Sequence, residues 1–293
     1  MSATFTVLGS GSTGNAALVR SDGFGLLIDL GLGPRTLARR FVEAGFGWKD
    51  VDAVILTHTH SDHWRETSLA HWQSRGRPIY CHGSHIDHLV ASSRAFGVLM
   101  TSDRVVAYAP GETFSPGGNL RLTALELAHD SHRTFGFRVE HSSGHWSAAY
   151  VADLGGFDNR LAEALLDLDL LALEFNHDIQ MQKTSGRPPI LIERILGSHG
   201  HLSNCQAAAF LHQLVERSKK RRPRTVVPLH LSRQCNRPKH AVAAATGVLQ
   251  ALGHEASVVV AEPDRASPRM SLGNGSCAPS LFQDSTDGGT MTV

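Results

Sequence analysis

Little of this chain is suited to cross-linking, ribbon-type metal binding or membrane insertion. Only four cysteines occur in 293 residues, at positions 81, 205, 235 and 277, and no two form a Cys-x-x-Cys pair. That excludes a disulfide framework and a zinc ribbon. No apolar run approaches the roughly 20 residues that a membrane helix needs. The opening stretch, Met1 to Val7, has no basic segment and no cleavable apolar core, so no signal peptide is expected. Net charge is only +1 with histidine neutral, so no global field draws in polyanions and nucleic-acid contact would need a local patch. These absences predict a soluble, cytoplasmic protein without a membrane partner, and they leave the oligomeric state open. Tyrosine and tryptophan are also scarce, at 3 and 4, whereas histidine is abundant, at 18.

Four of those histidine and carboxylate side chains fall within six residues. The apolar run Val54-Ile55-Leu56 reads as a buried strand. It leads into Thr57-His58-Thr59-His60-Ser61-Asp62-His63. A His-x-His-x-Asp-His cluster at a strand end directs three imidazoles and a carboxylate towards one point, and these ligands suit zinc, manganese or ferrous iron. A second histidine group, His82, His85 and His88, has no strand end to focus it and reads as a surface helix beginning at Ser84.

Elsewhere the pattern alternates strands with helices, as expected for sheets covered by helices. Residues 34–44 read as a helix that buries Leu37, Phe41 and Val42. Ser203 is expected to cap a helix that runs to residue 217. Strands are expected over residues 25–28, 51–56, 120–127, 168–173, 225–229 and 256–261, and a hairpin over 134–152 whose flanking His141 and His145 would be exposed. Asp29 closes an apolar strand and reads either as an anchor for metal-binding histidines or as a helix cap. The loop Gly9-Ser10-Gly11-Ser12-Thr13-Gly14-Asn15 reads either as an oxyanion cradle or as a plain turn. The basic run at residues 219–224 is a solvated helix end or a nucleic-acid patch. Composition predicts a domain over residues 1–265 and a disordered tail over 266–293, rich in Gly, Ser, Asp, Thr and Pro.

Polar groups recur at strand ends: His58, His60, Asp62, His63, His129, Asp153 and His230. In that order they resemble the metallo-β-lactamase fold, an α/β class αββα sandwich of two mixed sheets covered by helices. The resemblance covers about residues 4–262. It implies two divalent metal ions (zinc, or manganese or iron). His58, His60 and His129 would hold one ion and Asp62, His63 and His230 the other, with Asp153 between them. Leu8-Gly9-Ser10-Gly11-Ser12, Gly14-Asn15, Glu174-Phe175-Asn176-His177-Asp178 and Gly200-His201-Leu202-Ser203-Asn204 are similar to the WalJ/YycJ family of exonuclease-like phosphodiesterases, which are related to tRNase Z. The chain departs from that family with Ala16 and Phe175 where serine is expected.

The resemblance implies a phosphodiesterase or nuclease whose substrate is nucleic acid or a small phosphodiester. Asp62 and His201 would be catalytic, with His201 acting on the leaving oxygen and Asp62 orienting a hydroxide held between the cations. Ser12, Asn15, Asn176 and His177 would contact substrate. The same metal site also suits a carbonyl hydrolase, such as a lactamase, lactonase or thioesterase.

Overall fold

The computed structural model describes residues 3–131 and 133–273. Two seven-stranded sheets lie face to face, with helices outside both. The first sheet contains β1 (Ala3–Gly9), β2 (Ala16–Ser21), β3 (Phe24–Ile28), β4 (Ala53–Ile55), β5 (Ile79–His82) and β6 (Val105–Tyr108), with a final strand, β14 (Met270–Leu272), on the β1 edge. β1, β2 and β3 pair antiparallel, and β3 to β6 pair parallel. The second sheet is ordered β13 (Ser257–Val258), β12 (Thr225–Leu229), β11 (Leu170–Glu174), β10 (Ser147–Val151), β9 (Thr134–His141), β8 (Leu120–Leu127) and β7 (Thr113–Gly117). Its β7–β10 half is antiparallel and its β10–β13 half parallel.

The central strands carry unbroken apolar runs because both of their faces are covered. Side chains alternate across a strand, so on β10 Ala148 and Tyr150 face the layer between the sheets, and Ala149 and Val151 face the helices. β3 divides likewise, with Leu26 and Ile28 between the sheets and Leu27 under helices. The first sheet is covered by α1 (Pro34–Glu43), α2 (Glu66–Gln73), α3 (Ile86–Ser92) and α4 (Arg94–Thr101), through Leu37, Phe41, Trp72, Leu89 and Phe96. The second is covered by α5 (Asn159–Ala164), α8 (Asn204–Arg217) and α9 (Pro238–Ala251). Two further helices, α6 (Ile179–Lys183) and α7 (Pro189–Leu196), lie between β11 and α8 in the chain.

α8 follows its sequence closely. Ser203 and Gln206 form a reciprocal capping box, and Ala207, Phe210, Leu211, Leu214 and Val215 are buried at helical spacing. Other expectations change. Val42 is 74% exposed, because five positions at 100° each carry it off the Leu37 face. His141 is buried, with Nε2 2.9 Å from Asp22 Oδ2. The chain also stays in the fold beyond residue 265. Ser267 bonds to Val7 in both directions, and β14 pairs antiparallel with β1 and puts Met270 and Leu272 into the layer between the sheets. The rest of the expected tail, residues 274–293, lies outside the described residues.

Candidate metal centre

The polar strand ends meet at one edge of the sandwich. Asp29 follows β3, residues 58–63 follow β4, Asp153 follows β10, Glu174 ends β11 and His230 follows β12. These are carboxyl ends of parallel strands, the usual place for a site in an α/β sheet. β8 runs in the same direction as β10 and delivers His129 to that edge. Asp29, Asp153 and His230 have φ of 64°, 57° and 53°. Such left-handed backbone is uncommon outside glycine, though Asp and His tolerate it better than most residues. It turns the chain sharply as each strand ends.

Four of the imidazoles are fixed from behind. His63 Nδ1 lies 2.7 Å from Asp29 Oδ2, and His58 Nδ1 lies 3.0 Å from Thr57 Oγ1. His129 Nδ1 lies 2.9 Å from the carbonyl oxygen of Gly200, and His230 Nδ1 lies 2.9 Å from Glu174 Oε1. Asp29 also accepts from the Thr57 amide at 2.9 Å and from its hydroxyl. At His58, His63 and His129 the bond to Nδ1 leaves Nε2 for the centre of the cluster, the arrangement typical of metal-binding histidine, whereas His230 Nδ1 is shared between Glu174 and Asp153 Oδ1, also at 2.9 Å.

The inward atoms converge. Ligand atoms of His58, His60 and His129 lie within 4.8 Å of one another, as do those of His58, His63 and Asp153. Asp62 Oδ2 is 3.7 Å from His63 Nε2 and 3.6 Å from His230 Nε2. Asp153 lies between the two sets, with Oδ2 2.9 Å from His63 Nε2 and Oδ1 3.9 Å from His129 Nε2. Among the described residues, the buried Nε2 atoms of His58 and His230 make no hydrogen bond. Such orphaned polar atoms are costly in a native interior, and an imidazole–carboxylate donor set of this kind fits divalent zinc, manganese or iron. The residues therefore fit the ions that the sequence implies.

Electrostatics points the same way. Burial, with His63 as neighbour, holds the His58 imidazole well below the ordinary histidine range. Burial would also lower His63, but the carboxylates of Asp29 and Asp153 outweigh it and raise that imidazole to about 10. Four buried or half-buried carboxylates at one edge, Asp29, Asp62, Asp153 and Glu174, call for positive charge beside them.

A cavity of about 220 Å³ opens onto this cluster, lined in part by Ser12, His60, Asp62, His129, Asp153, Asn176, His201 and His230. His201 Nδ1 is 2.8 Å from Glu174 Oε1. Burial would lower the basicity of His201, but the Glu174 carboxylate outweighs it and raises it above the ordinary value. Glu174 would be raised by burial, yet His201 and His230 hold it down at about 2. The amides of Leu154 and Leu202 fill its second oxygen.

Two predicted substrate contacts do not line the cavity. Asn15 is buried and its amide is engaged inside the fold, with Oδ1 accepting from the Gly11 amide at 2.8 Å and Nδ2 3.2 Å from Asp62 Oδ2. The Gly9–Asn15 loop is thus a tie rather than a cradle. Ser10 Oγ accepts from the His230 amide at 2.8 Å, and only Ser12 of this loop faces the cavity. Close approach by residue 62 requires glycine at position 31, where a Cβ would meet the Asp62 carbonyl oxygen at 1.7 Å. His177 is fully buried, and among the described residues neither of its ring nitrogens has a hydrogen-bond partner. Burial pulls it down to about 4. Asn176 does line the cavity, but its Nδ2 donates to the His230 carbonyl at 2.7 Å.

Sequence reasoning overlooked Glu174 as the hub behind two histidines. Its signal was the one that Asp29 gave, a carboxylate closing an apolar strand. It also overlooked Arg187, a lining residue in a loop without periodicity. Among the described residues, His82, His85 and His88 form no metal-binding group. The basic run lies at the start of β12, at the opposite end of that strand from His230. Asp167 accepts the backbone amides of Lys219, Lys220 and Arg221, and Asp169 pairs with Arg221 and Arg224.

Fold and site together define a metal-dependent hydrolase of the metallo-β-lactamase type. The profile of the family described as "Beta-lactamase superfamily domain" matches residues 26–231, more than half of the chain, and the protein belongs to that family. It is 26% identical over 216 residues to "Exodeoxyribonuclease YycJ" of Bacillus anthracis, covering 72% of this chain and 77% of that one. It is also 26% identical over 233 residues to "Exodeoxyribonuclease WalJ" of Streptococcus pneumoniae, covering 79% and 82%. Among solved structures, the metallo-beta-lactamase fold protein YhfI of Bacillus subtilis superposes with a TM-score of 0.65 at 19% identity, covering 91% of this chain and 99% of that one. Among the described residues, no helix is long and apolar enough to cross a membrane.

Proposed function

We propose that the protein is a dinuclear metal-dependent phosphodiesterase that acts as a nuclease, like a DNA exonuclease. The hydrogen bond between His201 and Glu174 on the cavity wall carries this reading. With Nδ1–H committed to the carboxylate, and with that carboxylate favouring the protonated ring, the Nε2–H of the His201 imidazolium is the proton donor to a leaving oxygen. An alkoxide leaving from phosphorus needs such a donor, whereas the thiolate of a thioester departs without one. The alkoxide of a lactone needs one too, so the donor speaks against a thioesterase and the substrate panel separates a lactonase. The two relatives named as exodeoxyribonucleases support the same class.

His58, His60 and His129 would hold one cation and Asp62, His63 and His230 the other, with Asp153 shared. Bound cations would supply Lewis acidity towards phosphoryl oxygens and lower the pKa of water from roughly 15.7 to about 7. Asp62 would orient the attacking water. Ser12 and Asn176 border the cavity and would exclude bulk water from one side of the substrate.

The test is metal analysis of the purified protein, followed by a panel of single-stranded DNA, duplex DNA, RNA, a bis-ester, a thioester and a lactone. Release of nucleotides in zinc or manganese is the expected result. A metal-loaded protein that turns over the thioester or lactone but no phosphodiester contradicts the reading.

A further inference from the structure

Two arginines line the cavity, and their charges are used differently. Arg194 is ion-paired with Asp130, whose other oxygen is 3.3 Å from His129 Nε2. Arg187 has no carboxylate within ion-pair distance among the described residues. Its Nε donates to Gln234 Oε1 at 3.0 Å and its Nη1 reaches Gln182 Oε1 at 3.5 Å, both neutral amide oxygens. Gln234 in turn donates to the Ser185 carbonyl at 2.9 Å, and the Arg187 amide meets Ser185 Oγ at 3.4 Å. The guanidinium is therefore held in place by neutral groups, and Nη2 has no partner among the described residues.

A half-buried, positioned and unpaired guanidinium beside a cavity is matched by an anion, and a planar fork suits a phosphate better than a point charge does. Cations bound by the histidine cluster would take up the carboxylates of Asp62 and Asp153, so those carboxylates would not neutralise Arg187. We propose that Arg187 binds a second phosphate of the substrate, the one flanking the scissile diester. The substrate class is then an oligonucleotide strand, and diesters with a single phosphate are poor substrates. This inference rests on the phosphodiesterase reading, while its binding arm tests the Arg187 phosphate contact without turnover.

The binding arm titrates the metal-loaded full chain with thymidine 3′,5′-bisphosphate and with thymidine 5′-monophosphate, neither of which contains a diester to cleave. The bisphosphate is expected to bind about tenfold more tightly, the worth of one good charge-assisted contact. In Arg187→Gln the two ligands should bind within about twofold of each other, and Arg187→Lys should retain part of the preference. A wild-type protein with no preference, or an Arg187→Gln variant that folds and keeps it, overturns the proposal. In the kinetic arm, the ratio of kcat/KM for a phosphate-flanked dinucleotide to that for bis(p-nitrophenyl) phosphate should collapse in Arg187→Gln, and an unchanged ratio counts against the proposal. If neither diester is cleaved, the phosphodiesterase reading falls and the flanking role with it, while the titration separately decides whether Arg187 binds a phosphate.

Discussion

Glu174 Oε1 lies 2.8 Å from His201 Nδ1, and the same oxygen lies 2.9 Å from His230 Nδ1. One buried carboxylate thereby orients an imidazole of the metal cluster and the imidazole proposed as the acid. Glu174→Gln keeps the shape but removes the charge that raises the His201 pKa. Turnover should fall by about 10–100-fold. The alkaline limb of the pH–rate profile should move to lower pH, because His201 gives up its proton more readily. A profile that keeps its alkaline limb assigns that limb to another group.

Asp29 plays the corresponding part for His63 through the 2.7 Å contact with Nδ1. Asp29→Asn should weaken metal binding by about 10–100-fold, measured by competition with a chromogenic chelator. Unchanged affinity would make Asp29 a purely structural residue of the β3 end.

His177 gives a prediction about stability. Burial holds its folded pKa at about 4, against an ordinary 6.5. Above 6.5 both the folded and the unfolded imidazole are neutral. As pH falls from 6.5 towards 4 the unfolded chain binds the proton and the folded one does not, so stability is lost over that window. The urea midpoint of the wild type should therefore drop more between pH 7 and pH 4.5 than that of His177→Gln. Parallel curves would show that His177 is not held neutral.

The residues at 219–224 lie across the length of β12 from His230, where Asp167 holds the backbone amides of 219–221 and Asp169 pairs with Arg221 and Arg224. A Lys219→Ala, Lys220→Ala, Arg222→Ala triple variant should keep kcat/KM on DNA within about twofold. A tenfold loss with a shallower salt dependence would make the run a phosphate-binding patch instead.

Much of this site was legible in the chain because its chemistry is local. Residues 58–63 place four donors on one turn, and the apolar runs before Asp29, Asp153 and His230 mark the strands that bring them together. Relations across the fold were not legible. Asn15 and His177 lie in polar motifs, but packing against Asp62 and within the β11–α8 connection buries them. Arg187 becomes notable only when its neighbours prove to be neutral. β14 follows a composition typical of disorder, and its three residues enter the fold because β1 offers an open edge.

The most direct test of the central claim compares His201→Ala with the wild-type protein for bound metal and for single-turnover cleavage of a DNA strand. The account predicts that metal content is unchanged while the cleavage rate falls by about 10²–10⁴-fold, the usual worth of a positioned acid. Cleavage that survives the substitution in a metal-loaded variant would contradict it.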